Sequence, residues 1–230
     1  MRNGPLGRCI GLIGGLGVGA TVHYYRELAK EHAERGSVLS LVMAHADMNR
    51  VLAAAQAGDK NELSEYLAEL IGRLASAGAE FAAIPAVTPH ICIVELLARS
   101  PLPIVNIVAE LQSETQARGW RRAALFGTRF TMESGLFGLL RGVEVVQPAP
   151  SEIDFVHQTY MQIASAGVGS DEQHADLTRV AHDLIRREGI DGVILAGTDL
   201  ALVFNESNTD FCHIDCARLH LDAISERALG

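Results

Sequence analysis

Apolar positions along this chain fall into two rhythms that alternate from one end to the other. Short continuous apolar runs occur at residues 8–13, 39–43, 80–85, 104–107, 123–126, 143–146 and 192–195. Runs of that length, without polar alternation inside them, predict strands buried on both faces. Between most of them the apolar residues return every three to four positions, the period of an amphipathic helix. The clearest helix is predicted over 59–76, opened by Asp59 with Glu62 three residues on, a capping-box pattern. A second is predicted over 172–188, where Leu177, Val180, Ala181, Leu184 and Ile185 form one stripe. Such alternation implies an α/β fold of parallel sheets with helices on both faces.

At 230 residues the chain can bury a substantial core, as one large domain or two small ones. Two prolines in Ser100-Pro101-Leu102-Pro103 break the preceding helix and mark the best candidate for a crossing between halves. A weak internal echo points the same way. A strand followed by a small residue and then Thr occurs at Ala86 to Thr88, at Gly127-Thr128 and at Gly197-Thr198. The expectation is two pseudo-symmetric parallel-sheet α/β domains, 1–100 with 208–230 and 101–207, with a cleft between them. In such sheets ligands sit beyond the carboxyl ends of the strands, where all three Thr segments fall.

A net charge of −9 with no compensating Lys/Arg block argues against nucleic acid or an anionic membrane surface as partner. Small molecules and a second copy of the chain remain, and a homodimer is expected. Residues 1–7 lead into a strand too short for a secretory leader, and no apolar stretch of about 18 residues exists elsewhere, so a cytoplasmic protein is expected. The cysteines Cys9, Cys92, Cys212 and Cys216 form no CxxC pair and fit reduced thiols. Cys212 and Cys216, with His213 and His220 nearby, lack the second cluster that a metal site needs, and no metal is expected.

The run from Gly11 to Thr21 follows a strand and opens a helix, and Gly15, Gly17 and Ala20 satisfy the GxGxxA form of the dinucleotide fingerprint. The acidic residue that should end the second strand is misplaced: Glu34 lies in the helix and Asp47 is too far along. A tight turn bringing backbone to a ligand carboxylate is the favoured alternative, and a purely structural turn is the third. No cofactor is expected.

Residues 11–25, ending in Ala20-Thr21-Val22-His23-Tyr24-Tyr25, resemble the opening GGMGPxATxxYY of aspartate racemases. Ala46-Asp47-Met48 is similar to the segment that family places after its second strand. Leu125-Phe126-Gly127-Thr128-Arg129-Phe130-Thr131-Met132-Glu133-Ser134-Gly135 resembles LLGTxxTMxSG, and Asp215-Cys216-Ala217-Arg218-Leu219-His220 resembles D-[ST]-x-x-x-H. In order and over nearly the whole chain, the sequence resembles the cofactor-independent aspartate/glutamate racemase family. The departures fall where the resemblance places the chemistry. The family's CNTxH corresponds to Ala86-Val87-Thr88-Pro89-His90 and its GCTE to Ala196-Gly197-Thr198-Asp199, so both catalytic cysteines are replaced, by Ala86 and Gly197.

A two-base racemase needs a proton-transfer group on each face of the substrate α-carbon. Ala and Gly transfer no protons, and a Thr hydroxyl stays protonated at neutral pH. His90, Asp199 and Cys216 are the candidate catalytic groups that remain; His45, Asp47 and His220 are further ionisable candidates, and Cys92 and Cys9 read as packing thiols. Gly15, Asp47, Thr88, Thr128, Thr131 and Thr198 are the candidate substrate-binding residues for a small amino acid or dicarboxylate. Three functions follow: an isomerase or lyase with altered, non-two-cysteine chemistry, an inactive carboxylate-binding pseudoenzyme, or a conventional racemase. A nicotinamide-dependent dehydrogenase is the outsider.

Overall fold

The computed structural model describes residues 7–230; residues 1–6, to which most of the leader argument applied, lie outside it. Two four-stranded parallel sheets carry the fold. In the first, β1 (Ile10–Gly14), β2 (Leu41–His45), β3 (Phe81–Ala83) and β4 (Ile104–Val105) lie in the order β2-β1-β3-β4. In the second, β5 (Arg122–Phe126), β6 (Glu144–Val145), β7 (Gly192–Leu195) and β8 (His213–Asp215) repeat that order as β6-β5-β7-β8. The shared order is the pseudo-symmetry expected from the sequence, and the α/β class is as predicted.

The central strands are buried along their whole length, as parallel strands covered on both faces must be. Around the first sheet run α1 (Val18–Glu34), α2 (Met48–Ala57), α3 (Lys60–Ser76) and α4 (Ile93–Arg99). Around the second run α5 (Ile107–Ala117), α6 (Arg129–Glu133), α7 (Pro150–Ala166) and α8 (Asp171–Glu188), and α9 (Cys216–Leu229) closes the chain. Helix α3 begins where predicted, with the Asp59 carboxylate accepting from Glu62 N–H at 3.0 Å. The Glu62 side chain pairs with Arg50 rather than reaching back.

Two helices leave the half in which their strand lies. Helix α5 follows β4 of the first sheet, yet Ile107, Val108 and Leu111 join the core of the second half. Helix α9 follows β8 of the second sheet, yet Ala217, Leu221, Ile224 and Ala228 pack with Ile10, Leu12, Tyr24 and Leu28 of the first. Matched caps start both: Asn106 accepts from Val108 and Ala109 N–H, and Asp215 accepts from Ala217 and Arg218 N–H. Helix α5 thus leaves the first sheet at Asn106, and α9 leaves the second at Asp215–Cys216. Ser100-Pro101-Leu102-Pro103 only turns α4 into β4 of the same sheet.

In each sheet the chain starts in the middle, runs to one edge, then returns to the other side of its first strand. The carboxyl ends of β1 and β3, and of β5 and β7, are the two switch points at which such sheets open a crevice. No helix of the described residues is long and apolar enough to cross a membrane.

Candidate functional site

The loops at the two switch points face each other across a cavity of about 450 Å³. Leu16 enters it from the loop after β1, residues 86–89 from the loop after β3, Thr128 from the loop after β5, and Ala196, Gly197 and Asp199 from the loop after β7. Helices α2, α6 and α7 complete the walls with Val51, Leu52, Ala55, Arg129, His157 and Tyr160 among others. Ala86 and Gly197, the positions that the sequence resemblance aligns with the family's thiols, both line this cavity.

The space above Gly197 is taken. A Cβ built there would lie 2.4 Å from Cε2 and 2.9 Å from Cδ2 of Tyr160, far inside contact distance. Helix α7 holds that ring in place by burying Ile153, Val156 and Ile163 on the same side. The Tyr160 hydroxyl donates to Asp199 Oδ2 at 3.1 Å, and burial followed by the charge of Asp199 pushes the phenol well above its ordinary pKa. An aromatic ring from another helix occupies the room that a side chain at position 197 would need.

Asp199 is committed on its other side as well. Its Oδ1 accepts the Ala20 N–H at 2.7 Å, near the start of α1. A Cβ at Gly17 would sit 2.7 Å from Oδ2, and one at Gly19 3.0 Å from Oδ1. The glycine-rich turn thus does bring backbone to a carboxylate, but the carboxylate is the protein's own. It fills the cradle a dinucleotide pyrophosphate would need. Burial raises the Asp199 pKa, opposed by the Ala20 N–H and the Tyr160 hydroxyl. The Thr198 hydroxyl donates to the Pro85 carbonyl at 3.0 Å, a second tie from the β7 loop to the first half.

The other sequence-predicted residues divide by position. Thr88 and Thr128 line the cavity. The Thr88 hydroxyl bonds no described residue, whereas Thr128 caps α6 by accepting the Thr131 N–H at 3.1 Å, with Thr131 buried beneath it. Gly15 and Asp47 lie outside the wall. Gly15 N–H donates to Thr21 Oγ1 at 3.1 Å beside the His45 ring, and exposed Asp47 caps α2 by accepting Asn49 N–H at 2.9 Å. Among the described residues no group of three or more His, Cys, Asp or Glu is arranged around a metal position.

His90, His220 and Cys216 are also off the cavity wall, packed behind it. His90 is fully buried, with Nδ1 donating to the Ala86 carbonyl at 2.9 Å and Nε2 unpartnered. Burial pulls its pKa down to about 4. His220 accepts from the Tyr24 hydroxyl at Nδ1 and donates to the Val105 carbonyl from Nε2 at 3.0 Å; burial, with His90 nearby, pulls it down to about 3. Both rings are neutral at pH 7. In the unfolded chain they take up protons near pH 6.5, so stability is full above that value and is lost as pH falls toward 4. Denaturation profiles are expected to lose up to about 1.4 kcal/mol per pH unit for each histidine in that window. A His90→Gln variant that kept the full slope would contradict this assignment.

The thiols sort by burial. Cys216 is buried at the start of α9, where burial and Asp215 push it well up, and burial pushes Cys92 up to about 12. Cys212 is exposed and Cys9 half-buried. Maleimide labelling of the native protein, read by peptide mass, is expected to mark Cys212 first and to reach Cys92 and Cys216 only after denaturation. Native labelling of Cys216 would place that thiol at an accessible surface instead.

Sequence reading missed Tyr160, His157 and Arg129. Arg129 N–H donates to His157 Nδ1 at 3.3 Å, and the guanidinium pairs with Glu133 and Asp154. Arg129 stood inside a quoted motif, but only the geometry places it at the cavity. Nothing local marks α7 as a wall of the site.

A family model for Asp/Glu/Hydantoin racemases matches residues 13–224. Among solved structures, an aspartate racemase homologue from Pyrococcus horikoshii OT3 is 24% identical with a TM-score of 0.79, over 95% of this chain and 98% of that one. The Picrophilus torridus aspartate racemase is 20% identical with a TM-score of 0.73, over 99% and 96%. A glutamate racemase from Francisella tularensis, solved with D-glutamate, shares the fold at 13% identity and a TM-score of 0.64, over 94% and 79%. The chain belongs to the Asp/Glu/Hydantoin racemase family.

Proposed function

We propose that this family member holds a small carboxylate in the cleft between its two sheets and does not racemise it. The observation that carries this reading is the Tyr160 ring packed over Gly197, in a cavity that Ala86 also lines. Racemisation needs a proton-transfer group on each face of the reacting carbon. Ala86 and Gly197 supply none, His90 and Cys216 are packed away from the cavity, and both Asp199 oxygens are bonded within the protein. For the ligand's carboxylate the wall offers the unpartnered Thr88 hydroxyl and the Arg129 guanidinium. Calorimetry with a panel of amino acids and simple carboxylates tests the reading. Saturable binding weakened by Arg129→Gln and Thr88→Val is expected; no binding anywhere in the panel would reject it.

One observation favours a second reading, an isomerase or lyase working with a single acid–base unit. The Tyr160–Asp199 pair lines the cavity, and the raised Asp199 pKa brings that acid closer to neutrality than an exposed carboxyl. Product formation from any member of the panel, lost in Tyr160→Phe, would select it.

A further inference from the structure

We infer that the ligand of this cleft carries one carboxylate and a bulky apolar substituent, an aryl or branched alkyl group, in place of a second carboxylate. The inference rests on the carboxylate site proposed above and concerns what the rest of the cavity accepts. About 450 Å³ lies in the range that encloses ligands well beyond a four-carbon diacid. Thr88, Arg129 and His157 are among the polar groups of its wall. Helix α2 presents Met48, Val51, Leu52 and Ala55 beside the uncharged amide of Gln56, and α7 adds Met161 and Ala164.

A second carboxylate would meet no cation among the residues that α2 and α7 present. Arg129 is the one Lys or Arg among the described lining residues; with Glu133 and Asp154 already on it, it can serve the ligand's first carboxylate but not a second. The other charged groups on the wall, Glu133 and Asp199, are acids. Desolvating an unpaired carboxylate there is strongly unfavourable. An apolar substituent is favoured for the opposite reason. Met161 is 42% exposed at the wall, and Met48 and Leu52 are partly exposed, so a ligand that covers them removes apolar surface from water.

The test compares hydrocinnamate, its uncharged amide, aspartate and glutamate by calorimetry on the full chain. Hydrocinnamate is expected to bind at least ten-fold more tightly than either diacid and than the amide. Leu52→Gln with Met161→Gln, at positions exposed enough to spare the fold, is expected to weaken hydrocinnamate at least five-fold, with melting curves confirming that the variant folds. Aspartate or glutamate binding as tightly as hydrocinnamate would overturn this inference and leave the carboxylate site standing. An unchanged hydrocinnamate affinity in the folded variant would also overturn it. Equal binding of the amide, or no binding by any acid, would overturn the carboxylate site and this inference together.

Discussion

Gly197→Cys is expected to destabilise the protein and, even combined with Ala86→Cys, to produce no racemase activity. The new Cβ would meet the Tyr160 ring at 2.4 Å, and the thiol beyond it has nowhere to go without moving α7. Forcing side-chain atoms into a packed site costs about 1–3 kcal/mol. For a chain of this length that lowers the melting temperature by roughly 2–4 °C per kcal/mol. Adding Tyr160→Ala should recover part of the loss, since it vacates the space, while Tyr160→Phe should not. Urea denaturation of the four variants separates these outcomes. A Gly197→Cys protein as stable as its parent would mean that Tyr160 is not held over that position.

Asp199→Ala is expected to be the most destabilising single change at the site. It removes the acceptor for the Ala20 N–H and for the Tyr160 hydroxyl, both in buried surroundings. Each buried group left unbonded costs about 1–3 kcal/mol, so a combined loss of about 2–6 kcal/mol is expected. That is a large share of the roughly 5–15 kcal/mol by which domains are stable. Asp199→Asn keeps Oδ1 for Ala20 and lets its amide donate to the Tyr160 oxygen, so it should cost far less. The two also differ with pH. The folded Asp199 holds its proton to a higher pH than the unfolded chain, whose ordinary value is 3.8. Its contribution to stability is therefore present below 3.8 and is lost as pH rises through the raised value. The Asn variant should lack that component in a denaturation profile. Equal stability of Asp199→Ala and Asp199→Asn would remove the strap between α1, α7 and the β7 loop from the account.

The fold was legible where local pattern and burial coincide. Strands β1 and β7 are buried end to end, β5 is buried after Arg122, all three read as apolar runs, and Asp59 announced α3 through its cap. Strand β8 was not listed with them, because only Ile214 of its three residues is buried and polar neighbours flank it. The packing of α5 and α9 against the opposite halves was not legible, because distant partners decide it. The motif loops were legible as sites because each lies at the end of its own strand. What those loops do was not. Asp199 is spoken for by Ala20 and Tyr160, 179 and 39 residues away, and no spacing rule connects them. The glycine-rich turn showed that something approaches the backbone closely; only packing shows that it is Asp199.

The proposed reading is of a racemase-family fold that keeps a binding cleft, with a methyl group at position 86 and a tyrosine ring over position 197. The direct measurement is proton NMR of amino acids and α-substituted carboxylates incubated with the protein in deuterium oxide. The account predicts ligands that bind yet keep their α-proton signal undiminished. Protein-dependent loss of that signal, abolished by Tyr160→Phe or Asp199→Asn, would contradict it.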